Sequence, residues 1–328
     1  MGLPTPLQEE LGKINALLRD REFAISMADT LNAAYEAASG TAGKTKDNSA
    51  GKVNISVKEQ KIAINLAGFY AVECGVGLLM ALKGGTPHEW LEKIVAATVG
   101  QDDMLVLDRF ANATWKAGQP FINWDRIKNA LFISANYLSE EEVQKDDAQV
   151  LAAALKLLTS LHEVREGSKE DQLKKLQQLL RDEQYAWEMA QHLDAAYYLA
   201  QKKEPPPFLT EGEDKAIISG SKADEKIAVS IAGFYALECG LSYFAACRDQ
   251  LPSEMLSSIV RNNLAEKDQL FFERLANATW KAGQPFRGLD RITRPAFIPA
   301  AFLSDAEIEK DWIQIRAAAQ KLLDTLGS

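Results

Sequence analysis

The chain has 328 residues, 47% of them hydrophobic and 25% charged, with 20 Gly and 11 Pro. This is ordinary globular composition over a length sufficient for two cores, and it argues against disorder or a fibrous class. A formal net charge of -9, with no run of Lys and Arg to reverse it locally, makes the surface repel phosphate backbones and anionic lipid. Nucleic acid is therefore excluded as a partner, and a membrane is not expected.

The first predicted element, residues 6–38, carries Leu and Ala at helical spacing and is closed by Ser39-Gly40. A long loop, residues 39–54, follows. The second element, residues 57–83, is the most apolar in the chain: between Ile62 and Leu82 only Asn65 and Glu73 carry an amide or a charge. Its length would nominally span a bilayer, but a mid-span Glu is costly there, so it reads as the buried central helix of a bundle. The third element opens at Pro87 with Thr86 as cap, runs with a break to Ala117, and stops at Gly118 and Pro120. Gly118 is expected to take the left-handed conformation, with Phe121 folding back onto the last turn. The fourth begins at Ser139, where "SEEE" fits a capping box.

At "REGSKED" the series starts again, with Gly167 ending one helix and Ser168 capping the next, Asp171 at its third position. Elements follow over residues 169–202, 223–248 and 252–282, and from Ser304, with a second long loop at residues 203–222. Pro205, Pro206 and Pro207 close the first of them, while Gly283, Pro285 and Phe286 repeat the stop signal. No segment shows sustained strand alternation.

This is repetition in detail. "ANATWKAGQPF" occurs unchanged at residues 111–121 and 276–286, and "AGFYAVECG" at 67–75 matches "AGFYALECG" at 232–240, both at an offset of 165. "LLRD" at Leu17 and Leu179 differs by 162, so the length change falls in the loop between the first two elements. The expected fold is all-α: a tandem duplication of a helical-bundle domain, with about four main helices per half in a pseudo-twofold arrangement, divided as 1–167 and 168–328.

Two candidate patches follow. Glu73 and Glu238 each sit in an apolar helix, where a carboxylate must be paired, hydrogen-bonded or protonated. They read either as structural ion pairs or as acid/base or ligand-anchoring groups. On the third element Val106, Leu107, Phe110, Ala113, Thr114 and Ala117 share the core arc. Arg109, Asn112 and Lys116 form a polar stripe away from it, with Trp115 beside Asp108. Arg274, Asn277, Trp280 and Lys281 repeat the design. An exposed stripe has little reason to stay identical, so something covers it: the returning segment, the other half, or a ligand. Asp125 and Arg126, with Asp290 and Arg291, are the intramolecular partners expected; an anion on Arg109 or Lys116 is the ligand alternative.

Cys74 and Cys239 occupy matching positions and, with Cys247, read as reduced, buried thiols. With no secretory signal the chain is placed in the cytoplasm, and the glycosylation-like matches at Asn54, Asn112 and Asn277 are taken as accidents. The three histidines are unmatched between halves, and no phosphate loop, nucleophile elbow or Cys-x-x-Cys is present, so neither metal nor cofactor is expected. The leading expectation is a non-enzymatic interaction or adaptor protein presenting two similar surfaces to a protein or a small anionic ligand. The alternative is a small-molecule-binding protein or enzyme using Glu73 and Glu238 with the Arg, Lys and Trp of each half, and a membrane-inserting helical protein is a distant third. A homo-oligomer is compatible with either leading reading.

Overall fold

Among the described residues the four elements of each half become seven α-helices, because the first three runs are each interrupted. The computed structural model describes residues 6–40, 51–119, 132–284 and 289–327. The first element divides into α1 (Pro6–Leu17) and α2 (Arg21–Ala38), since Asp20 leaves the helical region and its carboxylate accepts the Phe23 N–H. Asp182 does the same between α8 (Lys169–Leu180) and α9 (Glu183–Ala200) by accepting from Tyr185. The apolar element becomes α3 (Val57–Asn65) and α4 (Ala67–Lys83), and the matching run becomes α10 (Lys222–Ser230) and α11 (Ala232–Arg248). The expected break in the third element separates α5 (Pro87–Val95) from α6 (Gln101–Gly118), and α12 (Pro252–Val260) from α13 (Glu266–Gly283). The fourth is α7 (Glu140–Ser160) in one half and α14 (Asp305–Leu326) in the other.

The predicted caps form. Thr86, Ser168 and Ser304 each close a full capping box, and the Ser139 hydroxyl accepts the Glu142 N–H. The predicted stop does not take its expected form. Gly118 and Gly283 are still helical, and the chain leaves through Gln119 (φ -88°) and Gln284 (φ -72°) without a left-handed residue. Each Gln donates its N–H back to the lysine carbonyl three residues earlier at 3.3 Å, and this tightened turn satisfies a terminal carbonyl in place of a left-handed glycine. Pro120, Phe121, Asp125, Arg126, Pro285 and Phe286 lie outside the described residues.

A two-stranded ribbon was not expected. β1 (Lys52–Ser56) and β2 (Ile217–Ser221) pair antiparallel, Lys52 opposite Ser221. Each strand is five residues long and its partner stands 165 positions away, so neither offers enough local alternation to be read from sequence.

At the centre α4, α6, α11 and α13 pack in a ring, with α6 and α13 also in contact across it. A single hydrophobic cluster runs through this ring and into both halves. The peripheral helices cross over. The α8–α9 pair packs on α3, α5 and α7 of the first half, whereas α1–α2 pack on α10, α12 and α14 of the second. Equivalent contacts result: Phe69 meets Tyr185 edge-on at 5.8 Å, and Phe234 meets Phe23 edge-on at 5.4 Å.

Glycine permits the close approach within the ring. A β-carbon at Gly75 would lie 2.7 Å from Leu107 Cδ2, and one at Gly240 would run into the Phe272 ring. The continuous runs Val57–Lys83 and Lys222–Arg248 are apolar and long enough to cross a membrane, yet 89% and 78% of their most apolar windows are buried inside the fold.

Candidate functional site

The sequence-predicted site residues assemble, but crosswise between the halves. Lys116 Nζ on α6 lies 2.5 Å from Glu238 Oε2 on α11, and Lys281 Nζ on α13 lies 2.5 Å from Glu73 Oε2 on α4. Both lysine side chains are wholly buried. Glu238 Oε1 accepts from the Ser134 hydroxyl at 2.7 Å, the Ala135 N–H at 3.0 Å and the Ser242 hydroxyl at 2.8 Å. Glu73 Oε1 accepts from the Ala300 N–H at 2.6 Å. Beside each pair a thiol points at the stripe asparagine of the opposite half: Cys239 Sγ to Asn112 Oδ1 at 3.5 Å, and Cys74 Sγ to Asn277 Oδ1 at 3.6 Å.

Charge is retained inside this network. Burial acts to raise the Glu238 pKa, but Lys116, Ser134 and the Ala135 amide outweigh it and hold the carboxyl below its ordinary range. Burial acts to lower the Lys116 pKa, and Cys239 and Glu238 beside it raise it instead. Cys239 is pushed far above a normal thiol, chiefly by burial and then by Glu238, so it is an un-ionised thiol rather than a nucleophile. Cys74 is raised in the same way, whereas Cys247 is exposed, contrary to the expectation that all three are buried.

The polar stripe is therefore an interior seam rather than a surface. Arg109, Asn112 and Lys116, and Arg274, Asn277 and Lys281, are all buried, and what covers the lysines is the other half. Lys116 is neutralised by Glu238, so it has no charge left over for an anion. Arg109 reaches Asn136 Oδ1 at 3.5 Å, and among the described residues its Nε and the Nε and Nη1 of Arg274 meet no acceptor. Asp290 pairs with Arg294 at 3.6 Å, one helical turn away, instead of reaching back to the stripe.

Next to the seam lies a small cleft of about 40 Å³. Asn112 and Trp115 reach it from α6, Glu142, Lys145, Asp146 and Gln149 from α7, and Tyr197 from α9, with Leu138 completing the wall. Trp115 is half-buried and backed by Phe132, their ring centroids 5.4 Å apart. Burial pushes the Asp146 carboxyl up to about 7; Lys116 and the Asn112 amide, which lies against it, pull the other way. Lys145 bridges Glu142 at 3.0 Å and Glu141 at 3.1 Å.

All eight cleft residues recur at the equivalent places in the other half. Seven repeat at the 165 offset: Asn277, Trp280, Leu303, Glu307, Lys310, Asp311 and Gln314. The eighth, Tyr197, matches Tyr35 at the 162 offset of the first element, and α2 packs on α14 as α9 packs on α7. The geometry agrees with this pairing. Leu193 and Gln149 close on Gly68, while Leu31 and Gln314 close on Gly233. Trp280 is backed by Phe297 at 5.5 Å, and Asp311, against Asn277, is likewise pushed up to about 7 by burial. The two corners differ at the rim: Tyr35 is exposed and Tyr197 half-buried.

Sequence reasoning singled out Asn112, Trp115, Asn277 and Trp280 but missed Asp146, Asp311, Tyr35 and Tyr197. The signal was present. "KD" at 145–146 and 310–311 continues the 165 register through the fourth element, and "AAY" at 33–35 and 195–197 continues the 162 register through the first. Comparison with protein-family models, with curated proteins and with solved structures found no match.

Proposed function

We propose that the protein binds a small molecule in the cleft at Asn112, Trp115, Asp146 and Tyr197, and that the matching residues Asn277, Trp280, Asp311 and Tyr35 form a second such site, on a chain built as a duplicated helical unit. What supports the reading is the recurrence of every cleft residue: on α7 and α14 the residues recur while several of their neighbours diverge, whereas on α6 and α13 the whole stretch around Asn112 and Trp115 is identical. Around Asp146 the sequence has Asp147, Ala148, Leu151 and Leu155; around Asp311 it has Trp312, Ile313, Arg316 and Gln320. Some recurrences have a structural cause, since Glu142 and Glu307 serve the caps at Ser139 and Ser304. Asp146, Trp115 and Tyr197 serve no cap. A half-buried carboxyl at elevated pKa beside two aromatic rings is the composition of a binding corner. The ionic seam behind it supplies rigidity, and Glu73, Glu238, Lys116 and Lys281 act as support rather than as ligand contacts.

Equilibrium dialysis of the full chain against a small-molecule extract, read by mass spectrometry, tests this. Retention of about two ligands per chain, lost in the Tyr35→Ala/Tyr197→Ala double variant, is the expected result. Equal retention by both proteins, or none by either, removes the binding reading.

One observation favours the interaction reading as a second. Leu151 and Leu155, one turn apart on α7, are 45% and 46% exposed, and the corresponding residues of α14 are Arg316 and Gln320. An adaptor would present this one-sided apolar face, since the polar stripes are interior.

A further inference from the structure

We infer that the ligand of each cleft is an organic ammonium ion, held by Asp146 between Trp115 and Tyr197 in one half and by Asp311 between Trp280 and Tyr35 in the other. This rests on the binding reading above and names the chemistry of the site. The charges that line the first cleft are two carboxylates and one lysine. The lysine is occupied: Lys145 spans Glu142 and Glu141, so it cancels the Glu142 charge and offers none to a ligand. Lys116, behind the floor, is committed to Glu238. Among the described residues no ion pair is formed by Asp146; the charges around it are Lys116, which favours its ionised form, and the acids Asp147 and Glu142, which oppose it, with the Asn112 amide against it. Its environment withholds the charge that a bound cation would restore.

The walls select in the same direction. An indole and a phenol line the cleft, and aromatic π faces attract ammonium groups. Phe132 holds Trp115 from behind, so the indole is already ordered before a ligand arrives. Leu138 offers apolar surface for an alkyl substituent. The cleft encloses about 40 Å³, which excludes a nucleotide or a folded peptide and takes only part of a small alkylammonium ion, the rest of which stays at the mouth. A bare metal ion would want several free oxygen ligands, and Glu142 is already bonded to Lys145 and to the Ser139 hydroxyl.

The test is tryptophan fluorescence of the full chain titrated with tetramethylammonium chloride and with n-butylammonium chloride at constant ionic strength. tert-Butanol serves as the neutral probe of similar shape, and sodium acetate as the anion. A saturable change with the ammonium probes at ~0.1–10 mM, two sites per chain, is expected for ligands of this size. It should weaken about tenfold or more in Asp146→Asn/Asp311→Asn, a variant that keeps the shape of the protonated acid and whose folding is checked by circular dichroism. Saturable binding of tert-butanol or acetate that is lost in Tyr35→Ala/Tyr197→Ala would overturn the ammonium assignment and leave the cleft standing. So would ammonium binding unchanged in the Asp→Asn variant. Absence of response to every probe would also overturn the assignment, and the dialysis experiment then decides separately whether the clefts bind anything.

Discussion

Lys116 and Lys281 are among the largest side chains with no solvent contact in the molecule, and each is held by a carboxylate contributed by the other half. Removing one member of such a pair leaves its partner charged and buried. Lys281→Met should therefore destabilise by about 3–5 kcal/mol in urea denaturation, while Lys281→Met/Glu73→Leu, which removes both charges, should recover most of that loss. Equal loss in the single and double variants would show that the pair is not the coupled unit described. Asp311 has the opposite linkage. Burial holds its proton up to a pH of about 7, whereas the unfolded chain releases it near 3.8, so in that window the folded state binds a proton that the unfolded state lacks. The stability this contributes is complete below 3.8 and lost as the pH rises to about 7, a change on the order of a few kcal/mol. Asp146 acts in the same sense. Asp146→Asn/Asp311→Asn should accordingly flatten the decline in urea midpoint between pH 4 and pH 8; an unchanged slope would place the linkage elsewhere. Of these residues the sequence pointed to Glu73 and Glu238, since a charge in an apolar helix demands a partner, and to Lys116 and Lys281, since their repeated polar stripe demands a cover. It could not pair them, because each partner is more than 200 or 100 residues distant and only packing brings it near.

Helices are the level at which sequence was most informative, and for a local reason. Caps, prolines and 3.6-residue periodicity act within a turn or two, so the boundaries at Thr86, Ser139, Ser168 and Ser304 appear where the residues place them. What was missed has competing local causes. Asp20 and Asp182 interrupt apparently continuous runs because an aspartate that caps the next helix leaves helical geometry itself. Gly118 and Gly283 were read as left-handed stops, but a 3.3 Å bond from the following Gln closes the helix first. The glycines of α4 and α11 carry no signal of their contacts in the sequence. They are where the ring helices come closest: Gly75 faces Leu107 and Gly240 faces Phe272, so the repeated "ECG" joins the buried charge to the position that lets the neighbouring helix approach.

At the scale of the molecule the sequence halves and the packed units do not coincide. A cut after residue 167 follows the repeat, yet α9, which lies beyond it, supplies Tyr185 against Phe69, Leu193 against Gly68 and Tyr197 to the first cleft. The second set of α10–α14 is completed by α2, through Phe23 against Phe234 and Leu31 against Gly233. The central ring is shared as well, so fragment 1–167 would expose the faces of α4 and α6 that meet α11 and α13, and would leave Lys116 and Glu73 without partners. Exposing that much apolar surface and two unpaired interior charges outweighs the few kcal/mol by which a domain of this size is stable. Fragments 1–167 and 168–328 expressed separately should each lack a cooperative thermal transition. Mixed in equal amounts they should regain one, together with a 1:1 complex by sedimentation. A cooperative, monomeric 1–167 would instead establish the halves as autonomous. The same exchange explains why the repeated stretch at Asn112–Trp115–Lys116 does not vary: its three side chains face, in order, a thiol of the other half, a cleft completed by a helix of the other half, and a carboxylate of the other half. A change at any of them alters an interface on which both copies depend, and that constraint acts whether the cleft holds a ligand or not.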